Sequence, residues 1–411
     1  MRWRLDLRSA VGSATLKTFI AISAAHALGD CLGGVWPMFK MLAGVDLAAA
    51  GVITTVATIA GTMMQPVFGH WADRGHQRTC IVLGTWLTAM VLLFGPMARY
   101  LDLNHPLVWV ALCVVLLLIR TGQGMYHPAG ASLAGSTSAG RRSTLVSIYI
   151  MCGMTGFSLS HLTFSWVYVK LDRELEWLII PVGLIMLAVM VWCRPRENHH
   201  EDRPSIGAML SRIWELRGKL FELYIVLSLV SGIGFGFIFI MPELARDFGY
   251  SNWIVKGGGH VMLVFGSAIV IIPVGMIADR VGRKRVLIIT LAMGIGLFYF
   301  LLLTPWVTGR QFLEWEFLVL LFLTGGFTGC PNPLGVAHGQ ALDPKHQSMI
   351  TGVLMGLAWA LGAVIPTIVG FVAKQQEYGP VDALIWTGLG YFVALWLAFW
   401  IPRTPRETAA A

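Results

Sequence analysis

The chain has 411 residues, of which 56% are hydrophobic and only 13% are charged, and its mean hydropathy is +0.69. A soluble domain averages about 25% charged residues, so this composition excludes a soluble globule and indicates a multi-pass membrane protein with an apolar outer face. The formal net charge of +8 raises the question of a nucleic-acid partner, which the positions of the basic residues answer.

Apolar stretches long enough to cross a bilayer, about 20 residues each, follow one another along the chain. The first follows a basic N-terminus and has no A-x-A cleavage site, so we expect a membrane helix rather than a removable signal peptide. The predicted spans are 17–38, 46–68, 79–98, 107–128, 143–166, 176–193, 220–242, 254–277, 286–305, 315–338, 347–372 and 381–401. The longest polar interval separates them into two sets of six. We therefore predict an N-terminal six-helix bundle at 1–193, a cytoplasmic central loop at 194–219 and a C-terminal six-helix bundle at 220–411.

The basic residues are distributed unevenly between the two sides of this arrangement. With the N-terminus in the cytoplasm, most of the 30 Lys and Arg residues fall in cytoplasmic segments, and few, such as Lys40 and Lys256, fall in outer ones. This bias follows the positive-inside rule and predicts that both termini are cytoplasmic. It also accounts for the positive charge without nucleic acid. We expect a bacterial-type inner membrane protein.

Ionisable residues occur within the first and fourth predicted spans, where burying each one costs about 2.5–3.5 kcal/mol or more. His26 and Asp30 are four residues apart and share one helical face. Span 4 carries Arg120, Gln123 and His127. A histidine and a carboxylate can exchange protons near neutral pH. Arg120 stays charged, and it would either anchor an anionic substrate group or balance Asp30.

The other polar residues inside the predicted spans give weaker signals. We place Asn332 on the substrate path. His161, His260 and His338 are expected to be ordinary interhelical polar groups, and Glu243 is expected at the outer mouth, where water is available.

One polar phrase occurs twice, half the chain apart, as GHWADRGHQR at 69–78 and GMIADRVGRKR at 275–285. Each copy is the second connection of its six-helix half, on the cytoplasmic side. The glycines would allow close helix approach, and the charged groups can pair with helix ends and with each other. We therefore predict a gating clasp formed by Gly69, Asp73, Arg74 and Arg78 in the first copy and by Gly275, Asp279, Arg280 and Arg283 in the second.

A second pair of segments also corresponds between the halves. RTGQGMYHPAGASLAG at 120–135 and LTGGFTGCPNPLGVAHG at 323–339 both place a proline within a predicted span, Pro128 in the first and Pro331 in the second. Interruptions at matching positions in two halves are typical of a transport path.

The duplicated halves and the repeated G-x-x-x-D-R phrase resemble the major facilitator superfamily of transporters. This resemblance implies an all-α membrane protein, with twelve transmembrane helices in two pseudo-twofold-related six-helix bundles, that works by alternating access. It also implies that the clasp stabilises the outward-facing state.

Two shorter motifs resemble branches of that superfamily. Arg120-x-x-Gln123-Gly124 is similar to the span-4 motif of proton-coupled drug exporters. His26-x-x-x-Asp30 with Tyr126-His127-Pro128 is similar to the fosmidomycin-resistance branch, which usually has Phe-His-Pro-Glu. Here Ala129 replaces that glutamate, so either Asp30 does more or the substrate differs. The span-5 antiporter motif is not met, because CGMTGFSLSHL at 152–162 contains no proline.

These patterns predict a secondary active transporter, with proton-coupled export of a small polar or amphipathic compound as the first hypothesis. Uptake of a nutrient or anion by proton symport is the second. A transition-metal path through His26, Asp30, His127 and Cys330 is a third. The six cysteines form no C-x-x-C pair.

A receptor or an enzyme is disfavoured, because the chain has no nucleophile elbow, no H-E-x-x-H and no phosphate loop. We expect a monomer in the lipid bilayer. Its expected partners are a small-molecule substrate and protons, with no cofactor, resident metal or nucleic acid.

Overall fold

The computed structural model describes residues 13–136, 142–192, 206–342, 350, 352–375 and 377–403, which are helical almost throughout and contain no strand. The helices of the first half are α1 Ser13–Gly33, α2 Trp36–Ala43, α3 Leu47–Met63, α4 Gln65–Trp71, α5 Gln77–Thr88, α6 Phe94–Tyr100, α7 Pro106–Ser136, α8 Arg142–Lys170 and α9 Ile179–Trp192. Those of the second half are α10 Ile206–Asp247, α11 Gly259–Val281, α12 Arg283–Thr308, α13 Glu314–Gly329, α14 Pro331–Leu342, α15 Ala358–Gly362, α16 Ile365–Lys374 and α17 Pro380–Ala398. Short π-helical turns lie at Ala72–His76, Ile254–Gly258 and Gly352–Leu357, and 3₁₀ turns at Ala89–Leu93 and Leu175–Leu178.

Within the described residues, 11 helical segments are long and apolar enough to cross a membrane. The fifth predicted span is α8, whose 29 residues reach about 43 Å at 1.5 Å per residue. The prediction of an all-α membrane protein is confirmed.

Two connections that the sequence assigns to loops are helical in the structure. α10 begins at Ile206, inside the predicted central loop, and runs for 42 residues, because the stretch up to Lys219 is rich in good helix formers such as Ala, Leu, Met and Arg. The rest of that loop, 194–205, lies outside the described residues. The first polar phrase passes from α4 through the turn Ala72–His76 into α5.

The first span is divided into α1 and α2 by a break at Gly34–Val35. Pro37 lies in the first turn of α2, where its fixed φ suits a helix start. Gly44, at φ 68°, ends α2, since only glycine adopts this conformation without strain. The side chain of Asp46 then accepts a hydrogen bond from Ala49 N (3.0 Å) and caps α3.

Glycines bring α8 against α1 and α7 against α5 around the polar residues of the first half. A Cβ on Gly156 of α8 would lie 1.9 Å from the carbonyl oxygen of Ala27 of α1. A Cβ on Gly122 of α7 would lie 2.3 Å from the carbonyl oxygen of Gly84 of α5. These helices therefore touch backbone to backbone, as small residues permit in membranes.

We call the end of the molecule that carries the connections 44–46, 101–105, 171–174, 248–253 and 309–313 the outer end. There α3 packs against α16 so closely that a Cβ on Gly370 would lie 2.3 Å from the carbonyl oxygen of Leu47. The hydroxyls of Thr55 and Thr367 are 2.6 Å apart. The two halves are thus closed against each other at the outer end.

Candidate proton and substrate site

The structure brings His26, Asp30 and His127 into one cluster, which we call the triad. His26 Nε2 lies 3.2 Å from Asp30 Oδ2, and His127 Nε2 lies 3.2 Å from Asp30 Oδ1. The two histidines meet directly, with His26 Nε2 3.1 Å from His127 Nδ1. The side chains of His26 and Asp30 are only 4% and 11% exposed, whereas that of His127 is 36% exposed. His127 is therefore the member of the triad that solvent reaches.

Two tyrosines and one glycine hold the triad in place. Tyr126 Oη donates to Asp30 Oδ1 at 2.7 Å. The ring of Tyr149 stacks on His26 with centroids 4.0 Å apart. A Cβ on Gly153 would lie 2.3 Å from His26 Cε1 and 2.5 Å from Asp30 Oδ2, so the triad occupies the space that this glycine leaves open.

The hydrogen bonds of the triad require one proton more than two neutral histidines and a carboxylate can supply. His26 Nδ1 lies 2.8 Å from the carbonyl oxygen of Tyr149, so Nδ1 carries a hydrogen. If His26 is neutral, its bare Nε2 faces Asp30 Oδ2, lone pair against lone pair. A proton on Nε2 removes this conflict, since it points to Asp30 and to His127 Nδ1 while His127 Nε2–H donates to Asp30. The geometry is thus satisfied by an imidazolium, a neutral imidazole and a carboxylate.

Arg120 lies on α7 but does not contact Asp30. Its Nη1 donates to Gln123 Oε1 at 2.7 Å and approaches the carbonyl oxygen of Gly33 at 3.5 Å. Its Nε is buried without a hydrogen-bond partner, and in the described part of the chain it forms no ion pair with a carboxylate. Arg120 makes no direct ion pair with Asp30, although the Asp30 charge acts on it at longer range, and both roles expected for Arg120 stay predictions. A fixed cation with spare donors can receive an anionic group.

The triad is also the group of residues that could hold a metal ion among those described, since its ligand atoms lie within 4.8 Å of one another. Cys330, the fourth member of the metal-path hypothesis, is not part of this group. Its thiol instead donates to the carbonyl oxygen of Gly326 at 3.0 Å.

Among the described residues, neither Asn332 nor the two polar phrases show a contact with the triad. Asn332 Oδ1 accepts a hydrogen bond from Ser231 at 2.9 Å, within the second half. Arg283 pairs with Asp279 at 3.2 Å across one turn. Arg78 and Arg280 are on the helices that flank the two turns, and the side chains of Asp73 and Arg74 lie outside the described residues.

The close helix approach expected at Gly69 and Gly275 is not found in this conformation. A Cβ on Gly69 would meet Pro128 only at 3.7 Å, and one on Gly275 would meet nothing within 4 Å. The positive φ angles of this region belong instead to Gly75 and Gly282, which turn the chain within the two phrases.

The expectation that Glu243 lies in water at the outer mouth is wrong. Glu243 is 3% exposed, and its Oε1 accepts a hydrogen bond from Lys40 Nζ at 2.6 Å. Lys40 is itself 1% exposed, with Nζ 4.3 Å from the centre of the Phe239 ring. This buried ion pair joins α2 to α10, and so joins the two halves. The position of Lys40 within the apolar run WPMFKMLAG indicates a buried charge, but the sequence does not identify its partner.

The comparisons with known proteins agree with this architecture. The family model of the Major Facilitator Superfamily matches residues 18–266 and 260–411. The chain is 22% identical, over 374 residues, to the fosmidomycin resistance protein of Escherichia coli K12, a match covering 87% of this chain and 86% of that protein.

Two solved structures share the fold. A variant of the nucleoside transporter NupG superposes with a TM-score of 0.73 at 14% identity, covering 95% of this chain and 100% of that one. The D-xylose–proton symporter superposes with a TM-score of 0.69 at 16% identity, covering 96% and 99%. The predicted arrangement of twelve transmembrane helices in two six-helix bundles is confirmed. The chain is a multi-pass membrane transporter and not an enzyme, and it belongs to the major facilitator superfamily.

Proposed function

We propose that the protein exports a small compound in exchange for protons, with the triad as the proton-binding site. The observation that carries this proposal is the hydrogen-bond pattern of the triad, which is complete only with one added proton. Partial exposure of His127 supplies a route by which that proton can enter and leave. The similarity to the fosmidomycin resistance protein supports export as the direction.

The two halves supply the two states that alternating access needs. With both termini in the cytoplasm of a bacterial-type inner membrane, the closed outer end makes this the inward-facing state. In that state the triad holds its proton, and protonation or deprotonation biases the equilibrium between states. We assign the gating role to the two polar phrases, in the outward-facing state, and take the monomer as the transporting unit, with bundles at 1–193 and 220–411.

Asp30→Asn tests the coupling role, because an amide carries no charge to pair with the two histidines and cannot exchange a proton with them. Everted membrane vesicles with an imposed proton gradient would be given fosmidomycin, the compound in the name of the relative, and then a panel of small polar compounds. We expect protons to leave the lumen of vesicles that contain the wild type when its substrate is added, and no protons to leave vesicles that contain Asp30→Asn. The matched control is Asp102→Asn, in the exposed 101–105 connection, which should behave as the wild type. Normal proton release by Asp30→Asn would refute the proposal.

Uptake of an anionic solute by symport is the second candidate, and it is favoured by the guanidinium of Arg120, which forms no ion pair with a carboxylate among the described residues. A hydrogen bond to a charged group contributes about 1.5–3 kcal/mol, so Arg120→Gln should weaken binding of an anionic substrate by about 10- to 100-fold. Intact cells decide the direction. Expression lowers the cellular content of the substrate if the protein exports, and raises it under an inward proton gradient if the protein is a symporter.

A further inference from the structure

A second pair of histidines lies where α8 meets α11, at the contact between the two halves. The rings of His161 and His260 are stacked, with centroids 3.7 Å apart and planes 18° apart. Both are buried, at 0% and 1% exposure. Sequence patterns had suggested only an ordinary interhelical role for each of them.

The hydrogen-bonding of this pair is incomplete. His260 Nε2 lies 2.9 Å from the carbonyl oxygen of Phe157, so Nε2 carries the hydrogen and Nδ1 does not. His260 Nδ1 and both ring nitrogens of His161 have no hydrogen-bond partner of normal geometry among the described residues. The backbone of Gly34 lies close enough to His161 for a hydrogen-bonding interaction, although not at normal hydrogen-bond geometry. Buried polar atoms without partners are rare in folded proteins, and they invite a functional explanation.

The charged groups around the pair give an added proton no free counter-ion. On α2, Lys40 is close enough for its positive charge to act on His161. On α10, Glu243 is already paired with Lys40, and Arg246 acts on both of them. Lys256 lies four residues before His260 in the turn Ile254–Gly258. A protonated imidazole would therefore be an uncompensated charge in a buried site, which is strongly unfavourable.

Opening of the outer end would reverse this situation. α8 and α11 belong to different halves, and the turn Ile254–Gly258 that leads into α11 packs tightly on α8, since a Cβ on Gly257 would lie 2.4 Å from the backbone nitrogen of Leu162. When the halves separate there, both rings become hydrated, the stack is broken, and each imidazole can bind a proton near neutral pH.

We propose that His161 and His260 form a second proton-binding site, which is filled when the outer end opens and must be empty before it closes. The site is distinct from the triad. His161 is eight residues from Gly153 along α8, about 12 Å towards the outer end. A proton arriving from the outer side would meet this pair before it reaches the triad.

The test follows the separation of the outer end as a function of pH. Spin labels would be placed at the exposed outer ends of α7 and α12, at Leu107 and Val307 (74% and 69% exposed), in a cysteine-free background in lipid nanodiscs. Electron–electron double resonance then gives the ratio of open to closed molecules. Each proton taken up on opening can change this ratio by up to about tenfold per pH unit. We expect the ratio in the wild type to rise as the pH falls from 7.5 to 5.5.

Replacing both histidines by phenylalanine keeps two stackable rings but removes the proton sites, so His161→Phe with His260→Phe should abolish the rise in the open-to-closed ratio as the pH falls. A second double variant with glutamine at both positions guards against a folding defect and should give the same result. The matched control is Asp30→Asn, which alters the triad but leaves this pair intact, so the open-to-closed ratio should still rise as the pH falls. A wild type whose open-to-closed ratio does not rise as the pH falls, or a rise that survives in either double histidine variant, would overturn the proposal. Loss of transport in Asp30→Asn tests the triad separately.

Discussion

The buried ion pair between Lys40 and Glu243 allows a quantitative test of what holds the outer end closed. Glu243→Gln keeps the shape of the side chain but removes its charge. Lys40 is then left as a cation with 1% exposure beside a neutral amide. In the open state the same lysine would be hydrated and would lose little from the change. The substitution therefore destabilises the closed state selectively.

The structure gives the size of the effect. At 2.6 Å between Nζ and Oε1, the Coulomb attraction is about 6 kcal/mol at an effective dielectric constant of about 20, before desolvation is subtracted. Breaking one side of such a buried pair costs about 3–5 kcal/mol. Each 1.4 kcal/mol is tenfold, so Glu243→Gln should raise the open-to-closed ratio by at least about 100-fold.

The assay is the Leu107–Val307 spin-label distance at pH 7.5, measured for Glu243→Gln, Lys40→Met and the two together. Replacing both members removes the stranded charge, so the double variant should lie closer to the wild type than either single variant does. The control is Asp247→Asn, one turn further along α10. Its carboxylate is 44% exposed and pairs with Arg246 at 3.6 Å, so its removal should change the ratio only a few-fold. A ratio for Glu243→Gln within twofold of the wild type, or additive effects in the double variant, would contradict this reasoning.

Two further predictions use other features of the structure. Gly153→Ala should abolish proton-coupled transport while the protein still inserts, because its Cβ would displace His26 and Asp30; Gly183→Ala, where a Cβ meets nothing within 4 Å, should transport normally in the same vesicle assay. Asp46 lies between α2 and α3. Burial opposes ionisation of its carboxyl group, but hydrogen bonds from Lys374 (2.5 Å) and from backbone amides outweigh the effect of burial. The pKa of Asp46 is therefore lowered from 3.8. Since the ionised form is the one stabilised, its contribution to closure is present above that ordinary pKa and is lost as the pH falls through the lowered value. Asp46→Asn should therefore remove any opening below about pH 4 in the spin-label assay and leave the response between pH 7.5 and 5.5 unchanged.

The spans and the triad could be predicted because both depend on short-range regularities. Hydropathy identifies membrane helices by length, and a four-residue separation places His26 and Asp30 on one helical face. Two matching halves and the motif around His127 then associate span 4 with span 1. The sequence did not reveal how the side chains and backbone groups of the site are oriented towards one another. Nothing in the pattern indicates that Tyr149 would offer its carbonyl to His26, or that Arg120 would face Gln123 and Gly33 rather than Asp30.

Contacts between the halves were not predictable for a related reason. Lys40 and Glu243 are 203 residues apart. Each lies just beyond the end of a predicted span, a position that predicts contact with water rather than with a buried partner. The depth of a residue near a helix end depends on the break at Gly34–Val35 and on the close packing of α3 on α16, which no periodicity encodes. The same limitation affected the glycines. Close contacts occur at Gly122 and Gly370, while the conspicuous Gly69 and Gly275 make none in this state.

Both histidine clusters pack against the same helix, α8, and this has a consequence for coupling. α8 packs Tyr149 and Gly153 against the triad and supplies His161 to the contact with α11, so a movement of α8 alters the surroundings of both clusters. In the closed state the hydrogen bonds of the triad are complete with a proton, whereas the His161–His260 pair has no counter-ion for one. If both sites bound a proton in the same conformational state, moving a proton from one site to the other would not change the balance between the open and closed states. Sites filled in opposite states make such a passage drive closure of the outer end, because a ligand shifts an equilibrium only by its difference in affinity for the two states.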